Sequence, residues 1–138
     1  MTHTRIRKFN TRETYPEQNL DNDLSQAVIA EGKMIFVRGQ VSQDLDSRES
    51  LHVGDPKLQT KVTMRNIDML LEECGSCMDH VCRIVVYLTD IRNRDVVYQE
   101  MGKWLKGVHP CSTGIVVSAL ARPEWLLEIE VTAVIPAE

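Results

Sequence analysis

The sequence predicts an α+β fold, a mixed sheet of six strands with two helices on one of its faces. Two observations carry that prediction. Segments that read as strands open and close the chain, while the segments between Thr60 and Val108 include stretches of helical spacing. The resulting order is β-β-β-α-β-α-β-β, with paired strands first and helices serving as crossovers.

Taken in order, Arg5-Ile6-Arg7-Lys8-Phe9 reads as a short edge strand with charged flanks, and Leu24 to Ile29 as the next strand. Glu31-Gly32 supplies a tight turn into Met34-Ile35-Phe36-Val37, an apolar run typical of a buried strand. Ser42 to Pro56 is the one long polar loop. Thr60, Thr63, Met64, Ile67, Leu70, Leu71 and Cys74 then recur at the spacing of one helix face. Asp55 suits the cap, Pro56 the first helical position and Gly75 the residue past the end. Ile84 to Leu88 is a β-branched buried strand. Val97, Met101, Trp104, Leu105 and Val108 make the second helical stripe, with Gly107 near its end. Thr113 to Ser118 is a strand around Ile115-Val116-Val117. The last strand alternates strictly: Leu127, Ile129, Val131, Ala133 and Ile135 share one face, Glu128, Glu130 and Thr132 the other. With the helices on one face of the sheet, its opposite face must be solvated or covered by another subunit, and β-branched residues on both sides of the strands favour a subunit.

The 138 residues suit one domain spanning 1–138. With 43% hydrophobic and 26% charged residues the composition is that of a globular protein and excludes disordered or collagen-like sequence. A formal net charge of -4 and only 5% aromatics disfavour nucleic acid as a partner. No apolar run reaches the ~20 residues of a membrane helix. The N-terminus is basic but lacks the apolar stretch of a secretory signal, so a cytoplasmic location with reduced thiols is the expectation.

Several groups of residues carry possible chemistry. Cys74-Gly75-Ser76-Cys77 is a C-x-x-C pair at a helix C-terminus, where the helix dipole disfavours a thiolate, and Cys74 belongs to the apolar stripe, so a core role is expected. His80 and Cys82 add ligand-type residues, but the longer spacer of a structural zinc site is missing and no metal is expected. His109, Ser112 and Thr113 lack a nucleophile elbow and an orienting acid. Glu128 and Glu130 lie on one strand face about 6.5–7 Å apart by strand rise, either facing solvent or holding a water in a cleft.

The stretch His109-Pro110-Cys111-Ser112-Thr113-Gly114-Ile115-Val116-Val117, a short loop and Leu127-Glu128-Ile129-Glu130 resembles the signature of the reactive intermediate deaminase (Rid, YjgF-like) family. That signature is Pro-x-Arg-Ser, a strand, a loop and a hydrophobic-Glu-Ile-Glu run. Phe36-Val37-Arg38-Gly39-Gln40-Val41 resembles the family's Ser-Gly-Gln strand end, Asp55 to Gly75 its long helix, and Val85 to Asp90 its central strand. The resemblance implies a chorismate-mutase-like α+β fold and a homotrimer whose sheets form a central barrel with clefts between subunits. It also implies hydrolysis of short-lived enamines and imines such as 2-aminoacrylate, without metal or cofactor. On this resemblance Glu128 holds the attacking water and Gly39 supplies a backbone contact. Cys111 and Thr113 flank the signature position.

The departures from the pattern shape the expectation. Ser112 stands where the family's arginine binds the substrate carboxylate, Leu24 near a cleft tyrosine, and Tyr98 about where a cleft asparagine is usual. Arg38 replaces a small hydroxyl residue before Gly39. Loss of an arginine–carboxylate pair removes charge-assisted bonds worth ~1.5–3 kcal/mol each. Arg38 either takes over anion recognition from the other wall or forms a surface or intersubunit salt bridge. Two functions follow: a deaminase using Glu128, Arg38, Ser112 and Thr113 on a small-molecule substrate, or a non-catalytic metabolite-binding or regulatory homologue using the same cleft.

Overall fold

The computed structural model describes residues 3–138. Its strands are β1 (Thr4–Ile6), β2 (Phe9–Asn10), β3 (Asp23–Leu24), β4 (Ala27–Ile29), β5 (Gly32–Gln40), β6 (Val81–Leu88), β7 (Cys111–Val116) and β8 (Leu127–Pro136). Its helices are α1 (Thr11–Thr14), α2 (Pro56–Glu73) and α3 (Arg94–Trp104). The main sheet runs β5-β8-β6-β7. The β5–β8 and β6–β8 pairs are antiparallel, and β6 and β7 run parallel with α3 as their crossover.

The expected six-stranded sheet is therefore a four-stranded one, with two short ladders beside it, β1–β4 and β2–β3. The chain's first segment pairs with itself, Arg5 opposite Val28 and Phe9 opposite Leu24. The single edge strand expected over Arg5 to Phe9 breaks because Arg7 adopts a left-handed φ of 52°. The strand expected from Leu24 to Ile29 breaks at Ser25, which turns to the start of β7. Its N–H donates to Pro110 O at 3.0 Å and its hydroxyl to His109 O at 2.7 Å.

α2 forms where the spacing places it. The Asp55 carboxylate accepts from Leu58 N at 3.0 Å, Pro56 opens the first turn, and Gly75 follows the end with φ of 76°. Met64, Ile67 and Leu71 of α2 and Val97, Tyr98, Met101 and Leu105 around α3 bury one sheet face formed by Ile84, Val86, Leu88, Leu127, Ile129, Val131 and Ala133. Thr60 and Thr63 reach the same interior because their hydroxyls donate to Pro56 O and Gln59 O within the helix. Cys74 is the exception: it is exposed, because the helix ends at Glu73 and the chain has left the path that would turn the thiol inward. No helix among the described residues is long and apolar enough to cross a membrane.

The opposite sheet face carries Glu128, Glu130 and Thr132 of β8. In register with them lie Tyr87 and Val85 of β6 and Phe36 of β5. Phe36 is 75% exposed and Met34 59% exposed on this face.

Candidate functional site

A local irregularity builds the site. Val37 pairs with Val131, but Gln40 pairs with Ile129, so β5 carries an extra residue against β8. Such a bulge bends the strand and re-aims side chains. Here it brings Gly39 against the Glu128 carboxylate so closely that a Cβ on Gly39 would overlap it. Glycine is the only residue that permits this approach.

Glu128 is half-buried, and burial pushes its carboxyl above the usual range. Arg38 pulls it back in part, and neighbouring Glu130 adds to the rise. Glu130 is engaged by the Tyr87 hydroxyl, which donates to it at 2.6 Å. That bond and the surrounding carboxylates raise the Tyr87 hydroxyl pKa in turn. The two glutamates expected on one face thus differ in state: Glu130 is tied to a phenol, and Glu128 stands against bare backbone with a guanidinium nearby.

Arg38 and Gly39 line a cavity of about 590 Å³ together with Gln43, Asp44, Arg48, Arg122 and Trp125. The size is that of a small-molecule site. Its walls are loops held by polar residues of α2. Buried Gln59 donates to Glu124 O at 2.9 Å and to His52 O at 3.1 Å, and accepts from Leu126 N at 3.0 Å. Buried Asn66 donates to Gln43 O at 2.8 Å. The Trp125 indole donates to the Ser50 hydroxyl at 3.1 Å, and that hydroxyl donates to Glu124 at 2.9 Å. The Arg122 guanidinium lies 5.5 Å from the Trp125 ring centre.

The remaining expected residues lie apart from this cavity within one chain. Ser112 pairs with Ile84, a core position, and so faces the helices. Its hydroxyl lies 3.2 Å from that of Tyr98, which is buried and packs against Gly114. The Arg94 guanidinium stacks 4.6 Å from the Tyr98 ring centre. Tyr98 therefore supports β7 from beneath instead of lining the cavity of Arg38 and Gly39. Thr113 faces the Glu128 side of the sheet, but β6 lies between it and β8. Cys111 opens β7 close to Cys82 and Arg5, towards the far end of β8 from Glu128. Burial of Cys82 raises its thiol pKa, opposed by Arg5. Among the described residues no three His, Cys, Asp or Glu side chains group closely enough to hold a metal ion.

Arg48, Arg122 and Trp125 were not legible as site residues in the sequence, because they come from loops without periodic signal. Gln59 and Asn66 did leave one: with Thr63 they form a polar row at i, i+4 and i+7 along the helix face that buries Met64 and Ile67. Buried amides in such a row mark places where a helix must hold loop backbone.

A family model described as endoribonuclease L-PSP matches residues 17–135. A RutC family protein of Pyrococcus abyssi is 34% identical over 109 residues, 79% of this chain and 84% of its own. Among solved structures, the Rid family protein YyfB of Yersinia pestis superposes with a TM-score of 0.77 at 26% identity, covering 98% of this chain and 100% of its own. A YjgF family member from Neisseria meningitidis is 33% identical with a TM-score of 0.65, covering 83% of this chain and 87% of its own.

Proposed function

The chain belongs to the Rid/YjgF family, and from that membership and the Glu128 carboxylate beside the Arg38–Gly39 cavity we propose that it hydrolyses small enamine or imine acids, such as 2-aminoacrylate, to the keto acid and ammonia. The observation that carries the reading is the Glu128 carboxylate, pressed on Gly39 at the cavity that Gly39 and Arg38 line, with its pKa lifted by burial and drawn back in part by Arg38.

An enamine first tautomerises to its imine. Ionised Glu128 then takes a proton from a water as the water oxygen bonds to the imine carbon. Glu128 returns that proton to nitrogen, giving the carbinolamine, and then carries the hydroxyl proton to the amine as the carbon–nitrogen bond breaks, so that ammonia leaves as the carbonyl forms. A carboxylate lifted toward neutrality suits both transfers better than an ordinary one. Arg38 receives the substrate carboxylate, taking the role that Ser112 cannot fill. The reading uses no metal or cofactor. The acidic net charge counts against RNA as a substrate.

The second copy enters through the sheet face on which Phe36 and Met34 are exposed. A patch of that kind suits a subunit interface, and a homotrimer with clefts between subunits would bring Thr113 of one copy towards Glu128 of another. The absence of a membrane-spanning helix among the described residues is compatible with a cytoplasmic protein.

The experiment is ammonia release from 2-aminoacrylate generated in situ by a serine dehydratase. Acceleration over the uncatalysed background that Glu128→Gln abolishes supports the reading. Background-level release by the unaltered protein refutes it and leaves the second reading, a non-catalytic metabolite binder, which is favoured by Ser112 being occupied with Tyr98.

A further inference from the structure

The cavity holds more cationic groups than one carboxylate needs. Arg38, Arg48 and Arg122 all line it. Their negative neighbours are already committed. Asp44 accepts the N–H groups of Asp46 and Ser47, both at 2.9 Å, which keep its carboxyl below the ordinary range. Glu124 accepts from Ser50 at 2.9 Å and lies 4.0 Å from Arg122. Glu128 is left for Arg38 and the chemistry. Among the described residues neither Arg38 nor Arg48 has a carboxylate within 4.0 Å.

Arg48 is also held in place. Its N–H donates to Asp44 O at 2.9 Å and its carbonyl accepts from Gln43 Nε2 at 3.0 Å. The Gln43 carbonyl is in turn anchored by Asn66 of α2 at 2.8 Å. The residue sits at φ of 64°, a conformation few non-glycine residues adopt, within this bonded loop. A loop tied to the core helix thus presents one guanidinium to the same cavity that Arg38 and Gly39 of β5 line, and Gly39 abuts Glu128.

We infer that the site selects dianionic substrates: Arg38 takes the carboxylate beside the reacting carbon, and Arg48 takes a second anionic group, a carboxylate or a phosphate ester, at the distal end. This deepens the deaminase reading and rests on it for the identity of the site. A guanidinium fork matches either group in bidentate fashion, and Arg122, already stacked and paired, lends charge to the same end.

Calorimetric titration separates the ligand class from the chemistry. Succinate, 2-phosphoglycolate and propionate serve as non-reacting probes for the unaltered protein, Arg48→Gln and Arg48→Lys. The expected result is that a dianion binds tenfold to a hundredfold more tightly than propionate. Arg48→Gln should collapse that ratio and Arg48→Lys restore most of it. Which dianion binds better assigns the distal group as carboxylate or phosphate. Equal affinity for all three probes, or a ratio indifferent to Arg48→Gln, overturns the inference even if imines are hydrolysed. In turnover, the kcat/KM ratio of the imine made from aspartate to that made from alanine, each by an amino acid oxidase, should fall by the same factor in Arg48→Gln. Selective dianion binding without any ammonia release sinks the deaminase reading and supports the assigned ligand class.

Discussion

The contact between Gly39 and Glu128 can be broken with one methyl group. In Gly39→Ala the added Cβ would overlap the near carboxylate oxygen and stand 2.8 Å from Cδ and 2.9 Å from Cγ of Glu128. Ordinary contact requires these distances to grow, so the carboxylate must retreat by on the order of 1 Å, and a misplacement of that size costs on the order of 10²-fold in rate. Expressed as a barrier this is about 2.7 kcal/mol. Stability should change by less than about 1 kcal/mol. The obstructing atoms belong to a side chain that can rotate, and alanine narrows the unfolded ensemble. The assays are ammonia release from in situ 2-aminoacrylate, thermal unfolding, and ¹³C NMR titration of the Glu128 carboxyl. The expected pattern is a hundredfold loss of kcat/KM, a nearly unchanged Tm and a Glu128 pKa that falls toward the ordinary range as the group moves into water. A variant that keeps full kcat/KM and an unshifted Glu128 titration would refute the claim that Gly39 seats the carboxylate.

Three further outcomes follow from the same geometry. Arg38 holds the Glu128 pKa down, so Arg38→Ala should raise it and move the acidic limb of the pH–rate profile upward, with about a tenfold to hundredfold loss of kcat/KM; an unmoved limb places Arg38 outside the site. Gln59→Ala removes three hydrogen bonds that hold the Glu124–Leu126 backbone and His52, and at about 1 kcal/mol each should lower stability by roughly 3 kcal/mol, read by urea unfolding. Phe36→Lys places a charge on the exposed apolar sheet face, and light scattering should show the proposed homotrimer reduced to single chains, whereas an unchanged mass means that this face is not an interface.

Much of the fold was legible because local periodicity encodes it. The stripe from Thr60 to Leu71, the Asp55 cap, Gly75 and the alternation from Leu127 to Ile135 each require only neighbours along one element. The errors fall where the chain bends for a distant partner. Ser25 leaves its strand to reach His109 and Pro110, and Arg7 turns left-handed between two ladders, neither of which has a periodic trace. Cys74 matched the apolar spacing but lies past the last helical residue, and spacing does not report where a helix stops relative to the sheet beneath it.

The site divides in the same way. Residue order alone determined that Glu128 stands on the polar face of the last strand and that Gly39 and Arg38 end the strand after the first turn. Only the tertiary structure decided that these three meet, because a bulge between Val37 and Gln40 sets the register of β5 on β8. It also decided that Tyr98 and Ser112 face the helices and that Arg48, Arg122 and Trp125 share the cavity with Arg38. The physical reason is range: strand and helix periods are properties of consecutive residues, whereas a cavity is the meeting of segments far apart in sequence. Here it is held by amides of α2 whose partners lie up to 67 residues away.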